Sequence, residues 1–210
     1  MLAVVLAAIA LLLGGCSDGS SPAASPASPG TGASAPTSSS SGFDGAALPV
    51  VPAHGFTLAD LTGGGDGRPV SLSQYRGRVV VLTFLYSTCG APCVVIAQQI
   101  RGALDELGPR PAPVLIVSAD PATDTPARVR GFLAQVSLTG RAQWLTGSLA
   151  QLRAVWHAYG ITPPSAGRGV FANSVSVFLL DRAGRERVLF QSEQLTPEGL
   201  AHDIDTLARR

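Results

Sequence analysis

An α/β domain, with a mixed central sheet covered by helices and an N-terminal β-hairpin in front of it, is what this sequence predicts on three observations. Apolar β-branched stretches alternate with stretches of helical periodicity from residue 79 onward. One of them, Val79-Val80-Val81-Leu82-Thr83-Phe84-Leu85-Tyr86, is nearly unbroken in β-branched and aromatic residues, as a central strand buried on both faces requires. Directly after it come Cys89 and Cys93, at the start of a helical pattern. α/β sheets gather their chemistry at the carboxyl ends of such strands.

The elements follow in order. Phe56-Thr57-Leu58-Ala59-Asp60 alternates, the breaker Gly63-Gly64-Gly65-Asp66-Gly67 ends it, and Pro69-Val70-Ser71-Leu72 resumes, which makes the hairpin. After the strand at 79–86, Ile96, Ile100, Leu104 and Leu107 share one face of a helix over 92–107, stopped by Gly108-Pro109. Residues 113–118 form a second buried strand, and Thr125-Pro126 opens a helix to about Val136, with Thr as N-cap and Pro at the first helical position. A further helix carries Leu149, Leu152, Trp156 and Tyr159 on one face. A strand at 175–180, the turn Asp181-Arg182-Ala183-Gly184, a last strand at 188–190 and a closing helix over 197–210 complete the chain. A dithiol at the end of the first central strand of such a sheet points to a thioredoxin-like fold.

The N-terminus is of another kind. Residues 1–13 contain no polar side chain; as a helix they would rise about 20 Å against a hydrocarbon core of roughly 30 Å, which fits a signal-peptide core and not a span. Leu13-Gly14-Gly15-Cys16 resembles the bacterial lipobox, where a signal peptidase cuts before a Cys whose sulfur carries diacylglycerol, although the positive n-region of export signals is missing. We therefore read 1–15 as a lipoprotein signal peptide and Cys16 as the lipidated residue, which places the protein in the bacterial cell envelope, outside the cytoplasm and anchored to a membrane. Residues 17–42 are Ser, Ala, Pro, Gly or Thr at every position except Asp18, a composition that cannot offset its ordering entropy. The lipidated Cys and tether span 16–47, and the folded domain 48–210. The chain holds 15 basic residues, all Arg and scattered singly except Arg209 and Arg210, against 14 acidic ones, a balance that argues against a dedicated nucleic-acid binder.

With Cys16 lipidated, Cys89 and Cys93 are the cysteines left for chemistry. Four residues apart on a helical turn, their Cα atoms lie about 6 Å apart, within disulfide range. As a staple the pair would stabilise by only about 2 kcal/mol, against about 4.7 for a 100-residue loop, so a chemical role is favoured. The adjacent helix N-terminus favours the thiolate, which is both nucleophile and soft-metal ligand. Cys89-Gly90-Ala91-Pro92-Cys93 has one residue more than the thioredoxin Cys-Gly-Pro-Cys, and Leu82 and Tyr86 stand where peroxiredoxins carry Pro and Thr or Ser.

Over roughly 56–207 the chain resembles the SCO/SenC family of membrane-anchored, thioredoxin-fold proteins that help assemble the copper site of cytochrome c oxidase. The resemblance rests on Cys-x₃-Cys at Cys89 and Cys93, on Asp120-Pro121-Ala122-Thr123-Asp124-Thr125-Pro126, on Trp144-Leu145-Thr146-Gly147, and on the strand from Ser174 to Asp181 followed by Gly184. It implies that Cys89 and Cys93 are the reactive pair, which in the family binds copper with a distal His and can exchange disulfides with a thiol partner. The loop that holds this His reads Phe171-Ala172-Asn173-Ser174 here, which puts Asn173 in its place, and Val94 replaces a family Pro. An amide oxygen is a hard, weak donor for copper, and no thioether stands in, since the only Met is Met1.

His54, His157 and His202 are read as surface or helix-packing residues; Asp120 and Asp124 could influence the cysteine site electrostatically, but a turn and a helix start built from Asp-Pro and Asp-Thr-Pro is the reading favoured. The leading expectation is thiol–disulfide exchange through Cys89, as attacking thiolate, and Cys93, as resolving thiol. Its partner is a thiol/disulfide or copper-site protein of the envelope, such as a cytochrome c oxidase subunit. No cofactor is required and copper is permitted. The rivals are a Cu(I) carrier without redox turnover and a binding module with a static disulfide, so the residues leave enzymatic turnover open.

Overall fold

The computed structural model describes residues 42–62, 67–109, 112–164 and 175–210. All belong to the unit Ser39–Arg210, and the unit Met1–Ser38, with the signal reading and Cys16, lies outside the described residues. In chain order the strands are β1 Ala46–Pro52, β2 Thr57–Asp60, β3 Pro69–Ser71, β4 Val80–Leu85, β5 Val114–Ser118, β6 Ala142–Thr146, β7 Ser176–Leu180 and β8 Arg185–Gln191. The helices are α1 Ala91–Leu107, α2 Pro126–Gln135, α3 Leu149–Ala158 and α4 Pro197–Ala208. One sheet runs β1-β8-β7-β4-β5-β6-β2-β3. Its centre, β4-β5-β6, is parallel, and antiparallel strands extend it on both sides, which makes it the mixed sheet expected. The predicted hairpin forms, with Leu58 opposite Val70, and adds to the sheet beside β6.

Every residue of β4, β5 and β7 is buried, so helices and loops cover both faces of the centre, and the continuous apolar runs are what such strands require. α1 buries Ile96, Ile100, Leu104 and Leu107 and packs on α4. Gly102 makes that approach feasible: a Cβ there would stand 2.9 Å from Pro197, at the start of α4. Thr125 caps α2 by accepting from the Arg128 backbone, and Ser148 with Gln151 forms a capping box on α3. Phe84, Tyr159 and Phe178 form a ring triangle with centroids 5.3–6.2 Å apart, and Tyr159 Oη donates to the His54 carbonyl. No helix among the described residues is long and apolar enough to cross a membrane.

Three features differ from the sequence reading. β6 is a full member of the parallel centre, although Ala142-Gln143-Trp144-Leu145-Thr146 is too mixed in polarity to announce a strand. β1 carries Pro49 and Pro52, which argue against a strand, yet at the sheet edge a residue without an N–H is tolerated. Leu149 is 47% exposed, because it opens α3 beside the exposed capping box, one turn ahead of buried Leu152. The chain just before β1 is tied to α4 by Asp203, fully buried, whose two carboxylate oxygens accept from the Asp44 and Gly45 backbone N–H groups.

The turn after β7 closes on Asp181. Its Oδ1 accepts from the Ala183 and Arg185 backbone N–H groups, and its Oδ2 meets Arg185 Nε at 2.9 Å and Arg187 Nη1 at 3.2 Å. Burial pushes this carboxyl's pKa up, but the Arg185 backbone and the two guanidinium groups together outweigh it and hold the pKa below the ordinary value. A depressed carboxyl pKa adds stability that is complete above about pH 4 and fades as pH falls through the folded-state value. Asp181→Asn should therefore cost about 1 kcal/mol at neutral pH, and the deficit should close in acid. Urea unfolding of both proteins from pH 7 down to 3 checks this; a deficit independent of pH would refute it.

Candidate functional site

β4 ends at Leu85, and the chain turns through Tyr86-Ser87-Thr88-Cys89-Gly90 before α1 starts at Ala91. Cys89 N donates to Tyr86 O at 3.1 Å, which makes the turn tight. Gly90 (φ 76°, ψ −148°) is the N-cap of α1, in a conformation that essentially only glycine adopts, and a Cβ there would meet nothing, so the backbone angles alone require glycine. Pro92 lies in the first turn, where its missing N–H has no partner to lose. Val94 N then donates to Gly90 O and closes the first helical turn around Cys93.

This geometry brings the two cysteines together as a disulfide with Cα atoms 5.7 Å apart, close to the spacing argued from the helical turn. They are not equivalent. Cys93 is 0% exposed inside the core, whereas Cys89 is only partly buried. A cleft of about 370 Å³ lined by Ser87, Gly90, Ala91, Val94, Phe132 and Gln135 opens beside the pair. On reduction the pair offers two thiols next to the amide N–H groups of the first turn of α1, whose field favours thiolates.

The Asp120–Asp124 turn lies against the cysteine loop. Asp124 is buried, and its Oδ1 accepts from Ser87 N at 2.7 Å. Its Oδ2 accepts from Ser118 Oγ at 2.6 Å and from Trp144 Nε1 at 3.1 Å. Burial raises the Asp124 pKa, and the bonds from Ser118, Ser87 and Trp144 only partly offset it. Thr88 Oγ1 donates to Thr123 Oγ1, which itself donates to Asp120 Oδ2 at 3.0 Å. Burial and the Asp120 charge raise the Tyr86 pKa. Reading Asp124 as the start of a helix thus misses its main contacts. Nothing local signals that its partners are the loop before Cys89 and an indole on β6.

Asn173 and Cys16 lie outside the described residues. His54, His157 and His202 are all exposed, in keeping with the surface reading. Among the described residues, one group of three side chains has metal-binding donors mutually within reach, Asp44, His202 and Asp203, and Asp203 is already committed to two backbone amides.

A cysteine pair at disulfide distance, set where the first central strand of a mixed sheet meets a helix, defines a thioredoxin-fold dithiol protein. The SCO1/SenC family model matches residues 54–209, and the chain belongs to that family. Among solved structures it is similar to the apo Sco1 protein of Thermus thermophilus, at 26% identity and TM-score 0.63, over 79% of this chain and 96% of the other. A SCO1/SenC family lipoprotein of Bacillus anthracis shares the fold at 20% identity and TM-score 0.61, over 77% and 97% of the two chains. So does the copper-bound ScoI of Bradyrhizobium japonicum, at 23% identity and TM-score 0.55, over 75% and 99%. Comparison with curated proteins finds no match.

Proposed function

We propose that this SCO1/SenC protein works by thiol–disulfide exchange through Cys89 and Cys93, as an envelope lipoprotein that keeps the copper-ligand cysteines of a cytochrome c oxidase subunit reduced during copper-site assembly. The observation that carries the reading is the unequal exposure of a pair already at bonding distance: Cys89 is only partly buried and Cys93 has no exposed surface. In each cycle the Cys89 thiolate attacks a partner disulfide, forms a mixed disulfide and releases one partner thiolate. The Cys93 thiolate then attacks Cys89 Sγ and releases the second, so two electrons pass to the partner and an upstream dithiol must restore the pair.

A second reading, carriage of Cu(I) as cargo on the same two thiolates, is supported by the copper-bound relative and by the preference of Cu(I) for soft sulfur. The reduction potential and the anaerobic Cu(I) affinity of the protein separate the readings. A potential below about −300 mV suits a static bond and a higher one a working couple. Tight Cu(I) binding without turnover would favour the carrier.

The membrane location rests on Cys16. Two or three acyl chains on a processed N-terminal Cys are enough for stable anchoring, since each buried CH₂ contributes about 0.8 kcal/mol. Cys16→Ala should move the protein from the membrane to the soluble fraction, read by fractionation and immunoblot. Continued membrane association after normal signal processing would overturn the lipid anchor.

A further inference from the structure

In the reduced protein the backbone from Cys89 to Cys93 still joins the loop to α1, but no sulfur–sulfur bond fixes where Cys89 points, so the task of orienting Cys89 toward Cys93 falls to contacts on the loop. The structure assigns that task to the Asp120–Asp124 turn, and we propose that Asp124 is the principal positioning residue of the dithiol, acting through the Ser87 backbone two residues before Cys89. This rests on the exchange reading and deepens it.

The geometry is specific. Asp124 gathers donors from three separate elements: Ser87 N in the loop after β4, Ser118 Oγ at the end of β5, and Trp144 Nε1 on β6. It is 5% exposed, so water cannot replace these bonds without opening the core. Trp144 is 0% exposed and packs on Phe132 of α2, and Ser118 O accepts from Trp156 Nε1, which makes the platform behind Asp124 rigid. A second tie, Thr88 Oγ1 to Thr123 Oγ1, joins the same turn to the residue before Cys89. Loop and turn are thus joined at two successive residues, 87 and 88. The equilibrium for closing a disulfide depends on how often the two sulfurs meet in the reduced state, and oriented groups meet far more often than free ones. Releasing Ser87 N from Asp124 lets the loop sample conformations in which Cys89 points elsewhere, and the closure constant falls.

The test uses full-length protein in detergent, equilibrated in dithiothreitol redox buffers and trapped by thiol alkylation, with thermal unfolding followed in parallel. Asp124→Ala should lower the closure constant about tenfold, or about 30 mV toward a more oxidising potential for a two-electron couple. Thr88→Val cuts the second tie at an exposed position and should shift the potential in the same direction by less. Ser118→Ala removes one Asp124 donor but leaves the Ser87 bond, so it should lower the unfolding temperature and leave the potential where it was. A folded Asp124→Ala protein with the wild-type potential would overturn the proposal. So would Ser118→Ala moving the potential as far as Asp124→Ala does. If Asp124→Ala does not fold, Thr88→Val decides: an unchanged potential overturns the proposal and a shift supports it. A wild-type disulfide that never equilibrates with the redox buffer would instead defeat the exchange reading, and this inference with it, before any variant is compared.

Discussion

Cys89→Ser is expected to reduce exchange with a disulfide partner to the uncatalysed background, while Cys93→Ser is expected to accumulate a covalent complex with that partner. The asymmetry follows from access. A thiolate must approach along the axis of the bond it breaks, and Cys93, with no exposed surface and its side chain in the core, offers no such approach to a protein-sized partner. Cys89 sits in the loop ahead of α1 with part of its surface open. Removing Cys89 therefore prevents the first bond from forming. Removing Cys93 leaves that step intact and deletes the thiolate that would resolve it, so the mixed disulfide persists. Non-reducing electrophoresis of each variant after incubation with an oxidised dithiol peptide reads both outcomes. Trapping by Cys89→Ser and not by Cys93→Ser would reverse the roles assigned here.

Asn173→His should raise copper affinity by at least about tenfold, or about 1.4 kcal/mol. The proposed place of Asn173, at the family's His position, predicts this, because imidazole is a good ligand for copper and an amide oxygen is a hard and weak one. The wild-type protein should hold Cu(I) on two thiolates alone and bind Cu(II) poorly, because a dithiol without imidazole tends to reduce Cu(II) and be oxidised by it. Its activity as a thiol reductant should persist without copper. Anaerobic titration of both forms against a competing chelator, with the thiols kept reduced, measures the difference, and Asn173→Ala should match wild type. Wild-type binding as tight as that of the His variant would mean that Asn173 is not at the ligand position or that another group completes the site, and Cu(I) carriage would then replace exchange as the leading reading.

What the sequence determined by itself is local or periodic. The continuous apolar runs at β4, β5 and β7 have to be buried on both faces, and they are. The spacing of Ile96, Ile100, Leu104 and Leu107 places them on the buried side of α1. Thr125-Pro126 starts α2 as capping chemistry requires, and the short spacing of Cys89 and Cys93 allows the 5.7 Å approach observed, although Cys89 lies before the helix and Gly90 between them is not helical. Tertiary structure decided what depends on neighbours distant in sequence. β6 becomes a strand because β5 and β2 supply ladders on either side, which outweighs a weak intrinsic pattern. β1 survives two prolines because it occupies the edge. Asp124 has the composition of a helix start, and only the folded chain delivers Ser87 N and Trp144 Nε1, from 37 residues before it and 20 after, to one buried carboxylate. Sequence spacing can bring two cysteines within reach of each other and place Cys89 ahead of the helix, but the complete burial of Cys93, and the bonds from the loop before Cys89 to Asp124 and Thr123, depend on the packing of side chains that spacing does not encode.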